Sequence, residues 1–383
     1  MLEEFIKQHS RCDVNELALQ RGLYKAMSDA DFRYCLQQIS GLQTARHKLP
    51  EISEREGWIY PARLSLEQCS SEFTAKYKSS LVGGHTLVDM TGGFGVDTYY
   101  LADRFRETTY VECSAELADL ARHNFSLTDK NITVVCDYCE EYISRMSKVD
   151  CIYIDPARRS RSGGKVFMLQ DCFPDIVSML PLLQAKCDTL LLKLSPMLDI
   201  SAVMNTIPHI KEIHIVAYRG EVKELLVLVD WRGVCEGLIN AVNLGTSQTT
   251  LRFTYNGERA LEQLPIEYSE PERFLYEPNG AIMKSGGMRV LAKKYHLKKL
   301  SANTHIFTSE EELCDFPGRQ FLFERIIDKK SIKGASLSII SKDYPLTASE
   351  LRVRYNIKED AERFLIACRI NGKPQLILAK RVR

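Results

Sequence analysis

The sequence predicts an α/β fold built on a doubly wound, mostly parallel sheet, and three observations predict it. Strand-like apolar runs alternate with helical segments from about residue 81 to about residue 230. One run empties into a glycine-rich turn, Leu87-Val-Asp-Met-Thr-Gly-Gly-Phe-Gly-Val-Asp97. Four successive runs end at or near an acid: Asp89, Glu112, Asp137 and Asp155. Open α/β sheets bind ligands at the carboxyl ends of their strands, so a row of acids there is a candidate site.

Ahead of the sheet, residues 1–80 read mainly as helices. Leu2, Phe5 and Ile6, then Val14, Leu17, Ala18 and Leu19, fall at helical spacing, with Asp13 and Ser28 placed to cap helix starts. His47-Lys-Leu-Pro50 predicts a break, and Pro61 holds Tyr60 extended. Leu66 to Lys78 predicts one helix entering the sheet domain, with Gln68, Ser71, Thr74, Ala75 and Lys78 on one face. That small, polar face suits a wall beside a bound ligand or a partly solvated helix.

In the turn itself, Gly92, Gly93 and Gly95 let the backbone bend sharply and approach a ligand without Cβ clashes. Asp97 is placed to cap the next helix, whose apolar positions are Tyr99, Tyr100, Leu101 and Phe105. A pyrophosphate held on such a loop wants amides free of nearby negative charge. Asp89 and Asp97 flank these glycines and would repel it. They suit a ligand with an ammonium group and no phosphate, which is S-adenosylmethionine. Thr108 to Glu112 forms the second strand and ends in an acid roughly 20 residues on, where a ribose-binding carboxylate belongs. The third strand, Ile132 to Cys136, leads to Asp137, and the fourth, from Val149, leads to Asp155-Pro156. A loop from Ala157 to Lys165 follows, then a helix from about Leu169 to Leu183. Thr189 to Leu194 is the fifth strand, and Ile213–Tyr218 with Glu224–Val229 predicts a closing hairpin around Arg219-Gly-Glu-Val.

From Trp231 onward the pattern changes to small α+β modules. Thr249 to Tyr255 alternates as a strand, and Asn256-Gly257 is a turn signal. Helical spacing returns around Met288 to Tyr295, and His305–Thr308, Phe321–Ile327 and Ser336–Ile340 read as strands. Thr347-Ala-Ser-Glu350 fits a capping box, and Asn371-Gly372 predicts a terminal hairpin. From Ser331 to Arg383 there are eleven Lys or Arg against five Asp or Glu, an excess of six. Local positive charge of this kind is what a phosphate backbone needs, although a solvated basic surface would look the same.

Composition narrows the class. A chain of 383 residues predicts two or three domains, and 45% hydrophobic with 26% charged residues is ordinary for a globular protein. The net charge of +1 says nothing about nucleic acid. No apolar run is long enough to span a membrane, and Met1-Leu-Glu-Glu has acids where a signal peptide needs bases. Twelve scattered cysteines fit a reducing cytoplasm. Cys136-Asp-Tyr-Cys139 has metal or redox spacing, but no second pair exists to complete a zinc site, so no metal is expected.

The acid-tipped strands and the glycine turn resemble class I S-adenosylmethionine-dependent methyltransferases over about Leu81 to Asp230. Asp89 to Asp97 with Asp155-Pro-Ala-Arg-Arg159 resembles most a bacterial group with a THUMP-like C-terminal domain. Gln68-Cys-Ser-Ser-Glu72 with Lys78, Tyr276-Glu-Pro-Asn279 and the C-terminal segment carry that narrower likeness. The resemblance implies a Rossmann-like methyltransferase domain at 81–230 after an N-terminal helical region at 1–80. It further implies a small ferredoxin-like α+β module at 231–315 and a THUMP-like basic domain at 316–383. It also implies S-adenosylmethionine as cofactor and RNA as partner. Asp89 and Thr91 to Gly95 would hold the methionine portion, with Asp97 beside them, while Glu112 would bind the ribose and Asp137 the adenine edge. The closing hairpin resembles the last strands of the same superfamily.

The acceptor would be handled after the fourth strand. Enzymes that methylate base amines place there an acidic or amide residue, two prolines and an aromatic. This chain keeps Asp155 and Pro156 but has Ala157 for the second proline and Arg158 for the aromatic, whose guanidinium plane can also stack. Uridine C5 methylation resembles this run too, but it requires a cysteine nucleophile after the fifth strand. Lys193-Leu-Ser-Pro-Met197 has none, which leaves direct transfer to nitrogen or oxygen. Arg158, Arg159, Arg161 and Lys165 form a cationic loop that fits a phosphate backbone, and Lys193 is either an acid's partner or a substrate contact. Two other readings stand beside this one: an RNA-binding protein that has lost transfer, and a methyltransferase for protein or a small molecule.

Overall fold

A computed structural model describes residues 1–158, 169–245, 248–261 and 265–382, apart from the side chains of Arg158, Asp171 and Leu261. The chain forms two compact units, Met1–Ile210 with Leu226–Cys235, and Lys211–Leu225 with Glu236–Arg383.

Five parallel strands of the sheet lie wholly in the first unit: β1 Thr86–Asp89, β2 Glu107–Glu112, β3 Ile132–Cys136, β4 Val149–Ile154 and β5 Cys187–Leu194. Their order is β5-β4-β1-β2-β3, all parallel. Val88 lies opposite Thr109 on one side and Ile152 on the other. The order therefore reverses between β1 and β4, and their carboxyl ends form the crevice where such sheets bind ligands. Leu87, Val88, Tyr110, Val111, Ile152 and Leu190 to Leu192 are all buried, as a sheet covered on both faces requires.

The helices follow their caps. Asp13 accepts the Asn15 and Glu16 amides, and Ser28 accepts that of Asp31. The helix Asp29–Lys48 stops at the expected break, and Pro50 opens the next one, Pro50–Ser53. The single helix expected from Leu66 to Lys78 is instead two, Arg63–Gln68 and Glu72–Ser79. Ser71 causes the break, since its hydroxyl accepts the Thr74 N–H at 3.3 Å and starts a new helix. The face carrying Thr74, Ala75 and Lys78 is buried in the domain. The helix expected from Leu169 also starts later, at Ile176. Cys172–Phe173 pairs with Ala157–Arg158, Pro174 has no amide to donate, and Asp175 caps Ile176–Lys186 by accepting from Val177 and Ser178.

In the second unit, the expected hairpin turns through Arg219 and Gly220 at φ 51° and 86°, both left-handed as a tight two-residue turn requires. Strand Leu238–Leu244, which carries no turn-bounded signal in the sequence, pairs parallel with Ile210–Tyr218 and antiparallel with Thr249–Thr254. Asn256-Gly257 is not a turn; it opens the helix Tyr255–Leu261, where the Thr254 hydroxyl accepts the Gly257 N–H at 2.9 Å. A seven-stranded sheet follows, in the order Lys298–Lys299, Phe307–Ser309, Phe274–Pro278, Gly318–Ile327, Lys373–Arg381, Arg363–Ile370, Ser338–Lys342. Phe274 lies opposite Leu322, so residues either side of position 316 share this one sheet. Its core includes Leu275, Phe321, Phe364, Ile366 and Ile377. The capping box at Thr347 and Glu350 and the Asn371-Gly372 turn form as the sequence predicts.

Candidate functional site

The glycine turn is packed tightly on one side and bare on the other. A Cβ on Gly92 would lie 2.1 Å from the Tyr110 ring, and one on Gly95, at φ 85°, would lie 2.7 Å from Phe125. These two glycines let the turn lie against the sheet. Gly93, at φ 55°, has nothing nearer its missing Cβ than the Thr91 carbonyl at 3.9 Å, so the space on that side of the turn is open. Glu112 pins the turn from the next strand: one carboxylate oxygen accepts the Gly93 N–H at 2.8 Å and the other accepts the Ser114 N–H at 2.8 Å.

Asp89 is buried at the end of β1 and accepts the Thr91 N–H at 3.0 Å and the Thr98 hydroxyl at 2.6 Å. The Thr91 hydroxyl in turn accepts the Asp155 N–H at 2.7 Å, which ties β4's end to β1's. Asp137 accepts the Tyr138 N–H at 2.9 Å and pairs with Arg145 at 2.6 Å.

Asp97 is not the helix cap; Gly95 holds that position, and Asp97 lies in the first turn with its carboxylate turned to buried partners. One of its oxygens accepts from the Ser70 and Tyr153 hydroxyls at 2.8 Å each, and the other lies 3.3 Å from the Lys78 ammonium. Lys78 is wholly buried and also donates to Ser70 at 3.0 Å. Lys193 sits 2.5 Å from Asp155 and 3.9 Å from Asp97, so it is an acid's partner. Lys78, on the face expected as a ligand wall, completes the site with Ser70 and Tyr153, which were not expected as site residues. The available signal was the Gln68 to Lys78 segment, where a lysine shares a face with small residues.

Asp97 and Asp155 thus face the two ammoniums of Lys78 and Lys193, and Asp89 lies near enough to both carboxylates to feel their charge. Burial pushes the Asp89 carboxyl up to about 7, with Asp97 and Asp155 pushing the same way against hydrogen bonds from Thr98 and Thr91. Burial would raise Asp97 too, but Lys78 and Lys193 outweigh it and hold that carboxyl below its usual range. Among the described residues the cluster holds three carboxyls and two ammoniums, so its excess negative charge appears only as Asp89 ionises, at about 7. A cationic ligand relieves that excess and a phosphate would worsen it, so the residues fit S-adenosylmethionine, with its ammonium and sulfonium.

Arg159, Arg161 and Lys165 lie outside the described residues, as does the side chain of Arg158; its backbone pairs with Cys172. Cys136 is exposed and Cys139 buried, and no group of metal-ligating side chains occurs among the described residues. No described helix is long and apolar enough to cross a membrane.

A ferredoxin-like domain model matches residues 274–317, and a THUMP domain-like model matches residues 318–381. The crystal structure of a candidate methyltransferase from Porphyromonas gingivalis W83 is similar over 100% of this chain and 98% of its own, at 30% identity and a TM-score of 0.89. Partial likenesses include TrmK from M. capricolum, solved with S-adenosylhomocysteine, at 12% identity and TM-score 0.33 over 43% of this chain and 70% of that one. An rRNA methylase from Streptococcus thermophilus shows 11% identity and TM-score 0.31 over 41% and 93%. These partial likenesses are too slight to bear on function. No curated protein matches the chain. The chain belongs to the class I S-adenosylmethionine-dependent methyltransferase family. Within it, the chain falls in the group with ferredoxin-like and THUMP-like domains at the C-terminus.

Proposed function

We propose that this protein transfers a methyl group from S-adenosylmethionine to a nitrogen or oxygen of an RNA base, in tRNA or rRNA. The observation that carries the proposal is the cation-seeking cluster of Asp89, Asp97 and Asp155 beside the glycine turn, at the point where strand order reverses. The cofactor supplies an electrophilic methyl carbon. Thr91 to Gly95 and Asp89 would hold its methionine portion, with Asp97 setting the charge behind them. Glu112 would take the ribose hydroxyls, and Asp137 would meet the adenine edge by giving up Arg145.

Asp155 is held by Lys193 and by Thr91, yet its side chain stays 36% exposed. It would accept a hydrogen bond from the acceptor amine, together with the Pro156 carbonyl, and fix its lone pair toward the methyl. Such catalysis is mostly positioning. Arg158, Arg159 and Lys165 would meet the RNA backbone or base, and Lys193 would act through Asp155. The THUMP-like match and the basic excess after Ser331 support RNA as the acceptor, and the twelve scattered cysteines fit a reducing cytoplasm. The altered Asp155-Pro-Ala-Arg158 run favours one other reading, an RNA-binding protein without transfer.

Two measurements test this. Calorimetry should show S-adenosylmethionine binding, weakened in Asp89→Ala and Glu112→Ala by about 1.5–3 kcal/mol, the worth of a hydrogen bond to a charged group. Mass spectrometry of nucleosides from cells with and without the protein should show one methylated nucleoside missing when the protein is absent. Tight NAD binding with no S-adenosylmethionine binding would overturn the cofactor assignment.

A further inference from the structure

A cavity of about 1080 Å³ lies wholly within the second unit. Glu277, Pro278 and Asn279 of the Tyr276-Glu-Pro-Asn279 motif, which the methyl-transfer site does not use, line one of its walls. The Tyr276 hydroxyl donates to the Glu311 carbonyl at 2.7 Å and accepts the Leu313 N–H at 3.2 Å, which fixes the loop leading to Phe316. Asn279 caps the helix Gly280–Ser285. A Cβ on Gly318 would lie 2.1 Å from the Glu277 carbonyl, so the two wall segments touch only because that residue is glycine.

The wall's chemistry points to a ligand. Glu277 is buried and neutralised by Arg319 at 2.5 Å and Lys342 at 3.3 Å, and Glu221 pairs with Lys223 at 2.7 Å. Arg219, Lys294 and Arg381 also line the cavity and have no ion pair among the described residues; the one unmatched acid on the wall is Asp315. That leaves an excess of cations. Phe316 and Tyr295 supply aromatic surface beside them, their rings 5.8 Å apart. Gln320 lines the same space at 2% exposure. Its Nε2 donates to the Leu313 carbonyl at 2.5 Å, which leaves Oε1 buried with no hydrogen-bond partner. A buried acceptor of this kind is costly until a donor reaches it.

We infer that this cavity binds an unstacked nucleotide of single-stranded RNA whose base carries an amino group. The phosphate meets Arg219, Lys294 and Arg381, the base lies against the aromatic wall, and the exocyclic amine donates to Gln320 Oε1. A base stacked on an aromatic ring and read along its edge is how single-stranded RNA is recognised. The volume admits one or two nucleotides. The inference rests on RNA being the partner, as proposed above, but it concerns a second site, apart from the methyl donor's.

The test uses the full chain and labelled single-stranded RNA hexamers of C, A or U, read by fluorescence anisotropy over a range of salt. C and A hexamers should bind about three- to tenfold more tightly than U, and Gln320→Leu should erase that preference. Arg219→Ala with Arg381→Ala should lower the slope of log affinity against log salt by about 1.4, at roughly 0.7 per single-strand phosphate neutralised. Lys294→Ala, on a helix, should weaken binding in the same direction. S-adenosylmethionine affinity should stay unchanged in each variant, and circular dichroism with urea unfolding should show that the second unit still folds. Equal affinity for the three hexamers with an unchanged slope overturns the inference. Free CMP competing as well as the hexamer reassigns the cavity to a free nucleotide and overturns it too. If the protein methylates RNA with the same KM in the double variant, the cavity proposal fails and the transfer reading stands. If the hexamers behave as expected while no RNA accepts a methyl, the transfer reading fails and this one stands.

Discussion

Replacing Lys78 by methionine should destabilise the first unit strongly, because it strands a buried carboxylate. Lys78 is wholly buried, 3.3 Å from Asp97 and 3.0 Å from Ser70. Methionine keeps the side chain's length and removes its charge. Removing one partner of a buried pair costs about 3–5 kcal/mol, because the other charge is left uncompensated. Asp97 would keep its hydrogen bonds from Ser70 and Tyr153, and Lys193 remains 3.9 Å away, so the expected cost is at the low end, about 3 kcal/mol. Urea unfolding followed by circular dichroism would measure it, in Lys78→Met, Asp97→Asn and the double variant. The double variant strands no charge, so its loss should fall short of the sum of the singles. The pH dependence has a definite sign. Asp97 is held below its usual range, so its contribution is present above the ordinary carboxylate pKa and is lost as pH falls through the folded value. The deficit of Lys78→Met should therefore shrink in acid. A loss under about 1 kcal/mol, or full additivity in the double variant, would refute the reasoning.

Asp89 has the opposite sign: its carboxyl is raised to about 7, so its contribution is present below the ordinary carboxylate pKa and is lost as pH rises through about 7. Asp89→Asn should flatten that decline in thermal stability between pH 4 and 8, roughly the span between the two values, and an unchanged profile would contradict the assignment. Gly92→Ala should cost about 1–3 kcal/mol or more by overpacking against the buried Tyr110 ring, and should weaken S-adenosylmethionine binding measured by calorimetry. The basic excess after Ser331 is best tested by charge, because removing Phe316–Arg383 would take four of the seven strands from one sheet. Gln at Lys333, Lys358 and Lys373, all exposed, should lower the RNA salt slope by roughly 0.7 for each phosphate no longer neutralised; an unchanged slope would make this charge a solvated surface.

Local signals carried much of the fold. The glycine turn, the acid-tipped strands, the caps at Asp13 and Ser28, the Thr347 capping box and the Asn371-Gly372 turn all act over a few residues, and each is visible in sequence. Where two local signals compete, sequence cannot rank them. Asn256-Gly257 reads as a turn until the Thr254 hydroxyl is known to cap a helix there. Ser71 looks like one more residue on a helix face until its hydroxyl captures the Thr74 amide. The site divided along the same line. Asp89, Glu112 and Asp155 stand at strand ends that periodicity locates. The Ser70–Lys78–Asp97–Tyr153–Lys193 network joins groups from four separate elements and one connecting segment, and only tertiary packing shows that a lysine is buried against an acid.

The central claim is that this fold moves a methyl group to RNA, and transfer of radiolabelled methyl from S-adenosylmethionine measures it most directly. The acceptor should be total RNA from cells lacking the protein, with wild-type protein compared against Asp155→Asn. The account predicts label in RNA with wild-type protein, and none with Asp155→Asn although that variant still binds the cofactor within a few-fold. Wild-type protein that binds both S-adenosylmethionine and RNA yet labels no RNA pool would contradict it.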